Sequence, residues 1–121
     1  QIRNQGHDLI AVSSTPKLLE GRTRDCIYKY FGNAFQDVYC LDSLTFIFGM
    51  LGFVKREDWK YKKYLELEAN IVIEDSLDIS RKCASSGIRT FLLDYPWNQR
   101  EADAERVERV SNWREIVERL K

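Results

Sequence analysis

The stretch ANIVIEDSLDISRKCASSGIRTFLLDYPWN, Ala69 to Asn98, decides how this chain is read. Ile71 to Ile73 is a short β-branched run suited to a strand buried on both faces, and it ends in two adjacent carboxylates, Glu74 and Asp75. Ser76 is placed to cap a helix that Gly87 would end, and a second apolar run, Ile88 to Leu93, follows at once. Strand, helix, strand in this order predicts a right-handed crossover and a parallel pair. Open α/β sheets bind their ligands in the crevice beyond the carboxyl ends of the strands, so the acidic pair stands where an active site would. Hard oxygen ligands in such a crevice suit Mg²⁺, which keeps several waters and takes a substrate phosphate. On these residues alone the same two charges favour a solvated strand end that complements the helix N-terminus, with the metal site as the alternative.

Working outward, the 121 residues predict one domain, long enough to bury a core but near the lower limit for a five-stranded doubly wound sheet. Lys plus Arg equals Asp plus Glu at 19 each, so there is no global basic field to recruit polymeric nucleic acid or anionic lipid. A small or partly neutralised ligand fits better. The longest apolar stretch, Leu44 to Val54, is interrupted by Thr45 and two glycines and is too short to span a bilayer. Cys26, Cys40 and Cys83 are odd in number, far apart and without a CxxC, which supports neither a disulfide framework nor a zinc site. No signal or transit segment is visible, and the expected compartment is the cytoplasm. The chain opens on Gln1 and its only methionine is Met50, so it reads as an N-terminally incomplete piece of something longer.

Gln1 to Gly6 reads as the last turn of a helix with Gly6 as a left-handed stop. Leu9 to Val12 is a short strand, and Thr15 with Pro16 predicts a helix start. Cys26, Ile27, Tyr30 and Phe31 recur at helical spacing before Gly32 ends the helix, and Asp37 to Leu41 is a third segment suited to a strand. Residues 43–63 read as a small insertion or as cover for one sheet face, with core packing favoured for their aromatics. Tyr64 to Ala69 is expected to lead as a helix into Ile71, and Ala102 to Val110 to be irregular. Asn112 with Glu115 forms a capping box for a last helix, whose buried face would be Trp113, Ile116, Val117 and Leu120. Such alternation predicts a three-layer α/β, Rossmann-like parallel sheet.

Three features fall in order: Ser13 at a strand end, a lysine cluster at Lys60, Lys62 and Lys63, and Glu74 with Asp75. Together they resemble the later motifs of the haloacid dehalogenase superfamily of phosphotransfer enzymes. The closer likeness is to its 5'-nucleotidase branch, including the 5'(3')-deoxyribonucleotidases, through VIEDS, GIRTFLLDYPWN and RVSNWREI. The resemblance runs in order from Gly6 to Leu120 and is weakest over Ser43 to Trp59. It implies a catalytic hydroxyl at Ser13, a catalytic ammonium at Lys63 or Lys62, and Mg²⁺ held by Asp75 and Glu74, all in one crevice. Phosphoryl transfer spreads charge over equatorial oxygens, and a fixed hydroxyl, an ammonium and a divalent ion each stabilise it. If strand alternation continues to the strand end, Asp75 points to the side of Ile73 and Glu74 to the other, making Asp75 the direct ligand and Glu74 an outer-shell group. Ser13 as a turn residue and the lysines as a solvated helix face remain equal alternatives. His7 reads as a turn residue, whereas Tyr95, Trp97 and Asn98 could contact a base or pack over a helix.

The family's nucleophile is the first aspartate of an Asp-x-Asp motif on its first strand, and no such motif precedes Ser13. Asp42 and Asp94 follow strands in the wrong order, and Asp78 lies inside a helix signal. On the resemblance, the missing strand is central, in spatial order five, four, one, two, three. An unfilled slot would strand backbone groups, each costing about 1 to 3 kcal/mol when buried unpaired. The missing strand is therefore expected upstream, or from a second chain or swapped segment, unless the sheet has closed without it. The expected function is Mg²⁺-dependent hydrolysis of a small phosphate monoester, possibly a nucleotide, by a phosphatase that is inactive as these residues stand. The alternative is a non-catalytic binding or regulatory module of the same fold, and a phosphoacceptor receiver domain ranks third.

Overall fold

A computed structural model describes residues 2–53, 55–99 and 104–121 and, of Arg56, the backbone. Gln1, Val54, Ala102 and Asp103, which enter expected segments, lie outside the described residues. The chain divides into two compact units, Gln1–Lys60 and Tyr61–Lys121. Both are built on parallel strands with flanking helices, a generic α/β fold of coarse Rossmann-like arrangement.

In the first unit, a 3₁₀ turn over Arg3–Gln5 ends at Gly6, whose φ of 86° is open to glycine at no steric cost. Strand β1 (Ile10–Pro16) pairs in parallel with β2 (Asp37–Leu41), and α1 (Glu20–Phe31) joins them. Gly32 ends α1 at φ 58°. Thr15 does not cap this helix: the strand runs on through Pro16, a 3₁₀ turn over Lys17–Leu19 follows, and α1 starts only at Glu20. Thr15 is instead held by Ser13, beside an irregularity at which β1 advances from Ser13 to Pro16 while β2 advances from Cys40 to Leu41. Helix α2 (Ser43–Met50) is capped by Asp42, which accepts from the Thr45 backbone N–H at 2.8 Å. The hydroxyl and backbone bonds from Thr45 hold the Asp42 carboxyl below its ordinary range. Within residues 43–63, Leu44, Ile47, Phe48, Met50, Leu51 and Phe53 are exposed, which corrects the expectation of ordinary core packing for Phe48, Leu51 and Phe53, while Phe46 and Trp59 are half-buried. The core of this unit is small: among the described residues, Ile2, Val38 and Leu41 are its buried apolar side chains.

Helix α3 (Arg56–Glu66) begins earlier than the expected Tyr64, because Glu57 and Asp58 favour the positive end of a helix and no breaker follows them. It also stops before Ala69, since Glu68 adopts φ 52°. The division between the units falls within it, after Lys60.

The second unit carries the strand–helix–strand element in the expected form. Strand β3 (Ile71–Glu74) and β4 (Arg89–Leu93) pair in parallel through α4 (Leu77–Ser85), which Ser76 caps and Gly87, at φ 82°, follows. A third strand, β5 (Val107–Val110), pairs in parallel with β4 and replaces the irregular segment expected up to Val110. Its sequence, VERV, offers only two apolar residues, and its charged side chains are satisfied across the sheet. Glu108 takes Arg89 at 2.8 Å and Arg119 at 3.3 Å, and Arg109 takes Asp94 at 2.7 Å. As the middle strand, β4 holds the core: Thr90, Phe91 and Leu92 are wholly buried, flanked by Val72, Ile79, Cys83, Val110 and Ile116. Helix α5 (Trp113–Arg119) is capped by Asn112 accepting from Glu115 N–H at 3.0 Å. The return bond to Glu115 comes from Ser111 N–H at 2.8 Å, one residue before the position a capping box would use. Of the expected buried face, Ile116 is buried while Trp113 is exposed.

Arg89 first, then Arg119, hold the Glu108 carboxyl below its ordinary range. A carboxyl whose pKa is lower folded than unfolded stabilises the fold above the unfolded value and loses that contribution as pH falls through the folded one. The difference in thermal stability between the parent and Glu108→Gln is therefore expected to be present at neutral pH, about 1 kcal/mol or less for so exposed a group, and to vanish in acid. Paired melting curves across pH check this.

Candidate functional site

Strand β3 ends at the acidic pair, and its burial alternates along the chain. Val72 and Glu74 are each only 3% exposed, whereas Asp75 is exposed. A carboxylate so buried needs donors, and Glu74 has them: the Tyr64 hydroxyl donates to Oε1 in a short hydrogen bond, and the Asp75 backbone N–H donates to Oε2 at 3.2 Å. Burial, with the adjoining Glu74 charge and hydrogen bond after it, pushes the Tyr64 phenol well above the ordinary tyrosine range. Tyr64 is thus a fixed neutral donor, set by α3 against the end of β3.

The carbonyl of the same residue, Asp75, is held from the loop after β4. The Trp97 indole N–H donates to the Asp75 carbonyl at 3.2 Å, and the Asn98 side-chain amide donates to it at 2.8 Å. Asn98 is 4% exposed and spends its remaining capacity within this loop, donating to the Leu93 carbonyl at 2.7 Å and accepting from the Tyr95 N–H at 3.2 Å and from Arg109 at 2.8 Å. Arg109 also donates to the Asn98 carbonyl at 3.0 Å, so β5, which the sequence reading missed, braces the loop. Tyr95 and Trp97 stack on each other at 4.5 Å and 10°, both exposed. Asp75 therefore presents a solvent-facing carboxylate on a backbone fixed from both sides.

Of the residues expected in one crevice, Lys63, Glu74 and Asp75 belong to the second unit and Ser13 to the first. The Lys63 ammonium is paired with Glu66 at 3.1 Å, and Lys62 is exposed. The Ser13 hydroxyl donates to Thr15 Oγ1 at 2.8 Å and accepts from the Thr15 N–H at 3.1 Å, a local turn of the kind serine often makes. Sequence reasoning missed Tyr64 and the indole N–H of Trp97. The available signal for Tyr64 was the alternation that buries Glu74, since a buried carboxylate demands a donor from elsewhere.

An exposed carboxylate such as that of Asp75 suits a hard cation that retains waters, whereas both oxygens of Glu74 are already hydrogen-bonded. Among the described residues, no group of three or more His, Cys, Asp or Glu side chains is gathered in one place. Among the same residues, no helix is long and apolar enough to cross a membrane. Comparison with protein-family models, with curated proteins and with solved structures yields no match to this chain.

Proposed function

We propose that this chain is the larger part of a haloacid dehalogenase-like phosphate monoester hydrolase, nucleotidase-like and Mg²⁺-dependent, that acts once an Asp-x-Asp strand completes it. One observation carries the reading: an exposed aspartate at the carboxyl end of β3, on a strand that pairs only with β4 among the described residues. Strand β1 likewise pairs only with β2. An edge of β3 left without a partner among the described residues supports a fold in which a further strand, bearing the nucleophile, pairs there. The motifs VIEDS, GIRTFLLDYPWN and RVSNWREI support the same family.

In this reading Asp75 holds Mg²⁺, which supplies charge neutralisation at the transferring phosphoryl group. Asp75 itself binds, and Glu74 orients it. The Lys63 ammonium would add electrostatic stabilisation there once released from Glu66, whereas Ser13 stands in the first unit with its hydroxyl paired to Thr15. Those two existing pairings favour a second reading, a non-catalytic module that keeps the fold and a weak cation site.

Calorimetric titration with Mg²⁺ tests the site. Asp75→Asn is expected to abolish measurable binding, whereas Glu74→Gln weakens it by on the order of tenfold, as for other groups that orient a ligand. Glu74→Gln also lowers the melting temperature, because a single amide oxygen then replaces the two carboxylate oxygens that accept from the Tyr64 hydroxyl and the Asp75 N–H. Equal losses in both variants would point to a shared electrostatic site, and no binding by the parent would return the acids to a solvated strand end.

A further inference from the structure

We infer that helix α2 pairs antiparallel with the α2 of a second copy of this chain, making the protein a homodimer. The helix is fixed at both ends. Asp42 accepts from the Thr45 N–H at its start. At its end Gly52 takes φ 82°, its N–H donates to the Gly49 carbonyl at 3.2 Å, and the Phe53 N–H donates to the Phe48 carbonyl at 2.9 Å. The Phe53 ring meets that of Phe48 edge to face, which completes a Schellman stop with its hydrophobic contact. A helix so held presents its faces in fixed directions. Thr45, Phe46 and Gly49 are half-buried, and Leu44, Ile47, Phe48 and Leu51, at i, i+3, i+4 and i+7, form an exposed stripe on the opposite side. Such a stripe ordinarily faces a core.

Four features select a second copy as its occupant. The spacing of the stripe is symmetric about the point between Ile47 and Phe48. A two-fold axis there sets Leu44 against Leu51 of the second copy, and Ile47 against its Phe48, with no member of the stripe left over. Ser43 to Val54 holds no charged residue and the chain has no net charge, so two copies meet here without like-charge repulsion. The ends are complementary as well: antiparallel helices lie with their dipoles opposed, and Asp42 at the start of one comes to the same end of the pair as the exposed Lys55, just past the end of the other. Lastly, the area is sufficient. With Met50 on its flank, the stripe is made of side chains 40 to 68% exposed; the two copies together would bury on the order of 1,000 Å², the size from which specific interfaces hold.

The test is sedimentation equilibrium of the full chain over a range of concentrations, in reducing buffer so that the exposed Cys26 does not link copies. The parent is expected to dimerise reversibly. Ile47→Glu sets a carboxylate beside the axis in each copy and is expected to raise the dissociation constant about thirtyfold or more, as for loss of a central interface anchor, with an unchanged circular dichroism spectrum. Leu44→Lys and Leu51→Glu test the register. Each alone is expected to weaken the dimer, whereas an equal mixture brings the new ammonium against the new carboxylate, keeps the remaining Leu51 and Leu44 in contact, and recovers it. A parent that stays monomeric at every concentration would overturn the inference. A dimer that Ile47→Glu leaves intact would place the interface elsewhere and overturn it too. A mixture that dimerises no more tightly than its separate components would overturn the antiparallel pairing.

Discussion

No phosphate release above background is expected from the 121-residue chain, and Mg²⁺-dependent release from a nucleoside monophosphate is expected once the chain is extended upstream to an Asp-x-Asp strand. The contrast should be large, because uncatalysed phosphate monoester hydrolysis is among the slowest reactions enzymes accelerate. Transfer through a covalent intermediate needs a positioned carboxylate nucleophile, and a hydroxyl, an ammonium and a cation only stabilise charge around it. The Ser13 hydroxyl is an unpromising substitute, since its proton goes to Thr15 Oγ1 and its lone pair to the Thr15 N–H. Steady-state phosphate release over a panel of monoesters, with and without chelator, is the measurement. Turnover by the short chain that disappears in Ser13→Ala would assign the nucleophile to Ser13. An inactive extended chain would favour the binding module.

The second large effect concerns stability. Phe91 is wholly buried in the middle strand of the second unit, opposite Ile73 on one side and Glu108 on the other, with the Arg89 guanidinium 4.9 Å from its ring centroid. Phe91→Ala removes a whole ring from a site bounded by two strands and is expected to cost about 3 to 5 kcal/mol. That is a large share of the roughly 5 to 15 kcal/mol by which whole domains are stable. Phe53→Ala serves as the control: Phe53 is 77% exposed, and its loss should change stability by no more than about 0.5 kcal/mol. Urea unfolding followed by far-ultraviolet circular dichroism compares them. Similar midpoints for the two variants would mean that the ring of Phe91 does not anchor this sheet.

What could be read from the sequence follows from how local each cause is. The β3–α4–β4 element was legible because a β-branched run, a serine cap and a stop glycine all lie within one stretch, and β2 (Asp37–Leu41) emerged with the same boundaries. Strand β5 was not, because Glu108 and Arg109 hide its character until Arg89, Arg119 and Asp94 are brought across the sheet to meet them. Thr15 misled because threonine before proline signals a helix start locally, while the pairing of Pro16 with Leu41 keeps the chain extended. At the site, alternation separated Glu74 from Asp75, yet nothing local announces that Tyr64, ten residues before Glu74, would meet its carboxylate or that Trp97, after the next strand, would meet the Asp75 carbonyl. Such contacts belong to the tertiary fold and leave little trace in spacing.

Strands with one unpaired side invite sheet extension by any passing chain, the route by which soluble proteins polymerise. Of the four strands with one unpaired side among the described residues, β1, β2, β3 and β5, two carry a defence against it that can be read directly. β3 is four residues long and runs into an acidic pair, too short and too charged to template a stack. β1 is longer, but its register breaks after Ser13 and its last residue is a proline, which can donate nothing to a neighbour. β1 and β3 can thus stay available for a fitting strand while remaining poor seeds for fibres.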